Sequence, residues 1–153
     1  MNRFLHLAIF LLLVVIVTPS CKTQKNANTS EDPKLVTSQD YLKKGNIQLD
    51  LKKYKEALKL LDKAVELDVD NGEAYAYRGM AKYNLKDLKG ALVDYNKALE
   101  IIPDYGEVYD LRGIVKAELG DKTGACEDWN QAFNFGFNKA AELIERYCSE
   151  ENN

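Results

Sequence analysis

The strongest constraint on the fold of this chain is an internal repeat of 34 residues. When residues 72–105 are placed over residues 106–139, thirteen of the 34 aligned positions carry the same amino acid. Residues 38–71 align in the same register, so the chain contains three consecutive units. Units of this length are typical of helix–turn–helix hairpins that stack side by side, because a single hairpin cannot bury its apolar face alone.

Small and large residues recur at fixed places in these units. Gly79 lies inside the first predicted helix of the second unit, where glycine costs about 1 kcal/mol relative to alanine. We expect it there because the backbone of a neighbouring helix approaches closely. Ala91 and Ala98 lie seven residues apart on the second predicted helix and allow the same approach, while Tyr75 and Tyr95 fill the remaining space.

The order of these residues resembles the signature of the tetratricopeptide repeat. The matching positions in the units 38–71, 72–105 and 106–139 are Tyr41, Gly45, Ala57, Leu61 and Ala64; Tyr75, Gly79, Ala91, Tyr95, Ala98 and Pro103; and Tyr109, Gly113, Ala125, Trp129 and Ala132. The resemblance implies an all-α fold, a right-handed α-solenoid of three helix hairpins. It also implies protein–protein interaction, because the first helix of each hairpin lines a concave groove for partner peptides in this family.

Residues 140–153 are predicted to form a capping helix and a short tail. A solenoid needs such a helix to cover the apolar face of its last unit. The helix is predicted from an apolar stripe at helical spacing, formed by Ala140, Ala141, Leu143, Ile144 and Tyr147.

Residues 1–20 have the organisation of a signal peptide. Arg3 precedes an apolar run at 4–17 that is interrupted only by His6. This run is too short for a membrane span of about 20 residues. Thr18, Pro19 and Ser20 follow, and then Cys21. A cysteine at this place resembles a bacterial lipoprotein signal, where the cysteine is acylated and becomes the first residue. We therefore expect an exported, membrane-anchored lipoprotein at the periplasmic or outer face of the cell envelope.

Two positions depart from the usual lipoprotein pattern. Thr18 stands where leucine is usual, and Pro19 is unusual so close to the cysteine. An ordinary secretory signal, with Cys21 free and the protein secreted, therefore stays open. Residues 21–37 are polar and are predicted to form a flexible tether between a lipidated Cys21 and the repeats. A flexible N-terminal segment with no spacer role is equally compatible with this composition.

The charge of the chain beyond the signal argues against some classes of function. Removing residues 1–20 lowers the count of Lys and Arg from 21 to 20 and leaves 24 Asp and Glu, a net charge of −4. This is not the basic footprint of a nucleic-acid-binding protein. His6 is the only histidine, so the remaining chain lacks the commonest general base and the commonest transition-metal ligand. We expect a non-catalytic protein without cofactor or metal.

The resemblance places eleven side chains in the groove that would bind a partner. They are Leu42, Asn46, Leu49, Asp50, Glu73, Met80, Tyr83, Asn84, Asp110, Ile114 and Glu118, with Ala76 and Glu107 at equivalent places. Apolar side chains ringed by carboxylates would favour a neutral or basic, partly apolar protein segment, and Asn46 and Asn84 could bond its backbone. Two alternatives stay open: some of these residues pack between repeats, or the acidic groove belongs to a small envelope-remodelling hydrolase.

One binding mode of the family is not expected in this chain. Members that bind chaperones hold a C-terminal carboxylate with basic and amide groups of successive first helices. Only Asn46 of that set has a counterpart, and the other matching places are occupied by Leu42, Tyr77, Glu107 and Leu111. Because Glu107 would repel a carboxylate, the clamp is absent.

Two equivalent ion pairs are predicted from a separation of 16 residues that recurs in the second and third units: Arg78 with Asp94 and Arg112 with Asp128. They would join the two helices of one hairpin and set their register, contributing about 0.2–1 kcal/mol each as exposed pairs. The first unit has Lys44 and Leu60 at these positions and lacks the pair.

A disulfide between Cys126 and Cys148 is a further possibility. The two helices should run antiparallel about a turn near Gly136, which brings both cysteines to nearly the same height. An exported protein meets an oxidising compartment, where such a bridge would staple the cap. The alternative is that both cysteines are free and pack as small apolar residues.

Overall fold

The computed structural model describes residues 36–148, which form seven α-helices and no strand. The helices are α1 (Ser38–Asp50), α2 (Tyr54–Leu67), α3 (Gly72–Asn84), α4 (Leu88–Ile101), α5 (Gly106–Glu118), α6 (Lys122–Asn134) and α7 (Ala140–Cys148). The predicted all-α class is confirmed. The predicted signal peptide, Cys21, most of the tether and the end of the tail lie outside the described residues. Within 36–148, no helix has the length and apolar character needed to cross a bilayer.

The helices pair into three hairpins, α1 with α2, α3 with α4, and α5 with α6. We call α1, α3 and α5 the A helices and α2, α4 and α6 the B helices. Successive A helices pack against one another, whereas successive B helices make at most slight contact within the described range. The A helices therefore form the inner layer of the solenoid and line its concave face.

Aspartate side chains start two of the B helices. Asp87 and Asp121 precede α4 and α6, and their carboxylates accept hydrogen bonds of 2.9 Å from the N–H groups of Gly90 and Gly124. Each carboxylate satisfies a backbone donor that has no partner inside its own helix. The turn before each B helix passes through the left-handed region at one residue, namely Lys52, Lys86 and Gly120.

The glycine inside each A helix receives a large side chain of its own hairpin. A Cβ added at Gly79 would lie 2.6 Å from Tyr95 Cε1, and one at Gly113 would lie 2.6 Å from Trp129 Nε1. Tyr95 and Trp129 are almost completely buried. The expectation of a closely approaching backbone was therefore wrong: the glycine makes room for a ring, because the B helix packs its bulkiest residue there.

The two predicted ion pairs are confirmed. The carboxylate of each pair is buried, however, and it binds a second cation. Arg78 Nη2 lies 2.7 Å from Asp94 Oδ1, and Lys82 Nζ lies 2.7 Å from Asp94 Oδ2. The Asp94 side chain is only 1% exposed. Hydrogen bonding to this carboxylate raises the pKa of Arg78. The exposed pair expected from the sequence is thus a buried carboxylate held by two cations, which we call the aspartate cluster of its hairpin.

The third hairpin repeats this arrangement with Arg112, Lys116 and Asp128, whose ion-pair distances are 2.6 and 2.9 Å. Both arginines also reach the B helix of the preceding hairpin. Arg78 Nη1 donates to Asp62 Oδ1 at 3.3 Å, and the equivalent atom of Arg112 donates to Asn96 Oδ1 at 2.8 Å. Each arginine therefore contacts two consecutive hairpins.

Helix α7 closes the solenoid by packing on α6. The sulfur atoms of Cys126 and Cys148 are bonded, and their Cα atoms lie 5.8 Å apart. One turn away, the rings of Trp129 and Tyr147 contact each other with centroids 5.5 Å apart. The last hairpin is thus covered by a covalently attached helix.

Asp94→Asn should destabilise the domain by about 3 kcal/mol, because it leaves Arg78 and Lys82 beside a buried amide that cannot neutralise them. Urea unfolding followed by circular dichroism measures this change. The matched control is Glu100→Gln, which removes an exposed pair with Lys97 and should barely move the unfolding midpoint. Equal effects of the two substitutions would contradict the role given to the aspartate cluster.

Thiol titration of the denatured, unreduced protein should find Cys126 and Cys148 unreactive. Their bridge closes a loop of 22 residues, so its loss in Cys148→Ser should lower the free energy of unfolding by about 3 kcal/mol. Two reactive thiols in the unreduced protein would leave these cysteines with a packing role only.

Candidate functional site

The candidate site is the concave face of the A helices, and the structure orders the predicted groove residues by exposure. Asp50, Glu73, Asn84 and Glu118 are exposed, and Asn46, Met80, Tyr83, Asp110 and Ile114 are half-buried. Leu42 and Leu49 are 3% and 8% exposed and belong to the core between α1, α2 and α3. These two leucines therefore follow the alternative that some groove positions pack between repeats, because they face the packed helices more than the solvent.

A first recess, of about 200 Å³, lies between α1 and α3. It is lined by Gln39, Leu42, Lys43, Asn46, Glu73 and Tyr77. Three of the predicted residues meet here, and Leu42 supplies the apolar floor. Tyr77 was not assigned to the groove from the sequence, although a tyrosine flanked by groove positions on one helix face was a usable signal.

Two of the predicted contact residues are partly used by the fold itself. The side-chain amide of Asn84 donates to the Met80 carbonyl at 2.8 Å, so one of its two N–H donors is used within its own helix. Met80 packs against two groups of buried residues, one that includes Leu42 and Leu61 and one that includes Tyr95 and Val108. Its thioether fills a gap between hairpins, and its replacement would disturb packing as well as binding.

A hydrogen bond crosses the groove from α3 to α5. The Tyr83 hydroxyl donates to Glu118 Oε1, and this bond raises the pKa of Tyr83 to about 12, with burial as the second cause. Tyr83 therefore stays protonated at neutral pH and keeps its role as a donor. The two predicted residues lie 35 positions apart in the chain, and the stacking of the hairpins brings them together.

A second recess, of about 310 Å³, lies at the capped end of the solenoid. It is lined by Ile114, Ala117, Glu118, Trp129, Leu143 and Tyr147. Ile114 and Glu118 were predicted groove residues, whereas Leu143 and Tyr147 were predicted only as part of the cap. Leu143 and Tyr147 form a wall of this recess that was not predicted, although their spacing of four residues on one face of α7 was a usable signal.

Carboxylates and tyrosines gather near the first turns of α3 and α5. Burial raises the pKa of Tyr77, and the charges of Glu107 and Glu73 raise it further. Burial likewise raises the pKa of Tyr105 to about 12, with Tyr77 and Glu107 contributing. Both hydroxyls therefore lie in a negative field. We call Glu73, Tyr77, Tyr105 and Glu107 the acidic tyrosine cluster.

Asp110 lies on the same helix as Glu107 and is half-buried. Burial raises the pKa of its carboxyl, and the charge of Glu107 adds to the shift, while Lys139 opposes it. Its Oδ1 atom is buried without a hydrogen-bond partner in residues 36–148. This atom is an acceptor that a bound donor could satisfy.

The described residues contain no group of three or more His, Cys, Asp or Glu side chains placed to hold a metal ion.

Comparison with known families identifies two of the units. Family models described as "Tetratricopeptide repeat" match residues 72–105 and 41–71. No curated protein matches the chain.

Solved structures show the same fold over about three quarters of the chain. The first tetratricopeptide domain of Spaghetti (RPAP3), bound to the HSP90 peptide SRMEEVD, superposes with a TM-score of 0.72, 23% identity and coverage of 76% of this chain and 94% of that chain. The Arabidopsis OM64 domain superposes with a TM-score of 0.70 and 26% identity, and the match covers 74% of this chain and 95% of that chain. The TPR2B domain of yeast Sti1, in a pHsp70 complex, superposes with a TM-score of 0.70 and 16% identity, and the match covers 74% of this chain and 98% of that chain.

The family matches, these superpositions and the helix order of α1–α7 agree with one another. The chain therefore contains tetratricopeptide repeats and folds as an all-α solenoid of the tetratricopeptide type.

Proposed function

We propose that this protein is a non-catalytic scaffold or adaptor that binds a segment of a partner protein in its concave groove. The observation that carries the proposal is the groove itself, which offers two recesses separated by the half-buried side chains of the A helices. A recess binds a side chain of the partner, and the polar groups between the recesses orient its backbone.

The solved complexes support this use of the fold. The similar domains of RPAP3 and Sti1 were determined with an HSP90 peptide and with pHsp70. Their partners are not transferred to this chain, because Glu107 and Leu111 stand where a carboxylate clamp needs basic or amide groups. No feature within residues 36–148 favours the hydrolase alternative over binding.

The proposal places this module in the bacterial cell envelope. It combines removal of residues 1–20, lipidation of Cys21 and attachment to a membrane through the polar residues that follow. A flexible segment of about 15 residues has an end-to-end reach of roughly 20 Å. The lipid would therefore hold the solenoid close to the bilayer.

Tyr83→Ala should weaken peptide binding at least about tenfold. The reason is that a few large residues at the centre of an interface, often aromatic, contribute most of the binding energy. The ligand is a peptide selected from a random library on the purified protein, and calorimetry measures its affinity. Tyr54→Ala is the matched control, since Tyr54 is also half-buried but lies at the start of a B helix. If both variants bind like the unmodified protein, the concave groove is not the binding site.

Metabolic labelling with a fatty-acid analogue should mark the protein in bacterial cells and place it in the membrane fraction. Cys21→Ser should lose both the label and the membrane association, because a single acylated cysteine supplies the anchor. A labelled Cys21→Ser protein, or an unlabelled and soluble unmodified protein, would refute the lipoprotein part of the proposal and favour secretion.

A further inference from the structure

The charges of the A helices are divided between two sides. Arg78 and Lys82 are held by the buried carboxylate of Asp94. The equivalent cations of α5 are held by Asp128 in the same way. Four basic side chains are therefore bound in ion pairs on the side of the A helices that faces the B helices.

The side that faces the groove keeps its carboxylates without such neutralisation. The groove positions of the three A helices carry five carboxylates, Asp50, Glu73, Glu107, Asp110 and Glu118. None of the five forms an ion pair among the residues that the structure describes. Lys43 lines the first recess, Lys86 Nζ lies 5.7 Å from the ring centroid of Tyr83, and Lys139 lies near Asp110. The five carboxylates outnumber these three cations, so the groove carries net negative charge.

The acidic tyrosine cluster is built to receive a cation. Glu73 and Tyr77 line the first recess together, and Glu107 occupies the position equivalent to Glu73 one repeat later, on α5. A lysine or arginine side chain placed over the ring of Tyr77 gains a cation–π contact together with charge-assisted hydrogen bonds to the carboxylates.

The second recess has a different chemistry. Ile114, Leu143, Tyr147 and Trp129 make its lining mainly apolar, with Glu118 as the charged member. A long apolar side chain fits such a lining. A partner that fills both places therefore carries a cationic and an apolar side chain.

We propose that the partner segment is cationic, with a lysine or arginine held by the acidic tyrosine cluster and an apolar side chain in the recess beside α7. This inference rests on the proposed function and specifies its partner. An acidic segment, such as the peptide SRMEEVD of the similar RPAP3 domain, is disfavoured by like-charge contacts with Glu73 and Glu107.

The test uses three synthetic peptides of equal length and equal leucine content, in which the remaining positions are lysine, serine or glutamate. Fluorescence anisotropy with the purified protein measures the three affinities at low and at high NaCl concentration. The lysine peptide should bind at least about tenfold more tightly than the glutamate peptide at low salt, and the difference should shrink as salt screens the groove.

The double variant Glu73→Gln/Glu107→Gln should weaken binding of the lysine peptide about three- to tenfold. Glu56→Gln/Glu127→Gln is the matched control, because it makes the same charge change at exposed positions of α2 and α6. The control should bind like the unmodified protein, and thermal unfolding should show both variants folded.

The outcomes separate this inference from the proposed function. Equal binding of the three peptides, with binding still lost in Tyr83→Ala, would overturn the cationic partner and leave groove binding in place. Loss of affinity in both double variants would attribute the effect to net charge and also overturn the assigned cluster. Binding unaffected by any groove substitution would overturn both proposals.

Discussion

The rest of this solenoid depends on the ion pairs of one buried aspartate in each of the second and third hairpins. A carboxylate that is removed from water needs opposite charge and hydrogen bonds close by. Asp94 and Asp128 obtain both from two cations on the A helix of their own hairpin. Because the arginine of each pair also contacts the preceding B helix, the same cluster sets the register within a hairpin and between hairpins.

This arrangement also affects the charge of the groove. Basic residues of an A helix that bond backward to a B helix are not available to a ligand in front. The carboxylates at the groove positions remain uncompensated by ion pairs in the described part of the chain, and Tyr77 and Tyr105 lie in their field. The stability of the hairpin and the chemistry of the groove are therefore two consequences of one distribution of charge.

The capped end links the fold to the site in another way. Helix α7 covers the last hairpin, and its Leu143 and Tyr147 at the same time form a wall of the apolar recess. The disulfide between Cys126 and Cys148 holds this wall on α6. Sequence periodicity predicted that the helix exists and which face is apolar. It could not show that this face also borders the groove, because that depends on how α7 packs.

The sequence by itself determined the helix hairpins, their number and the pairing of Arg78 with Asp94, because a 34-residue period repeats the same local pattern of caps, small residues and charges. Only the tertiary structure decided how deeply each side chain is buried. In this structure Leu42 and Leu49 are buried, and a tyrosine ring rather than a backbone packs against Gly79. Tyr83 is hydrogen-bonded to Glu118, which lies 35 residues away in the chain. The physical reason is that burial and cross-helix contact depend on the packing of neighbouring hairpins, which no pattern within one hairpin specifies.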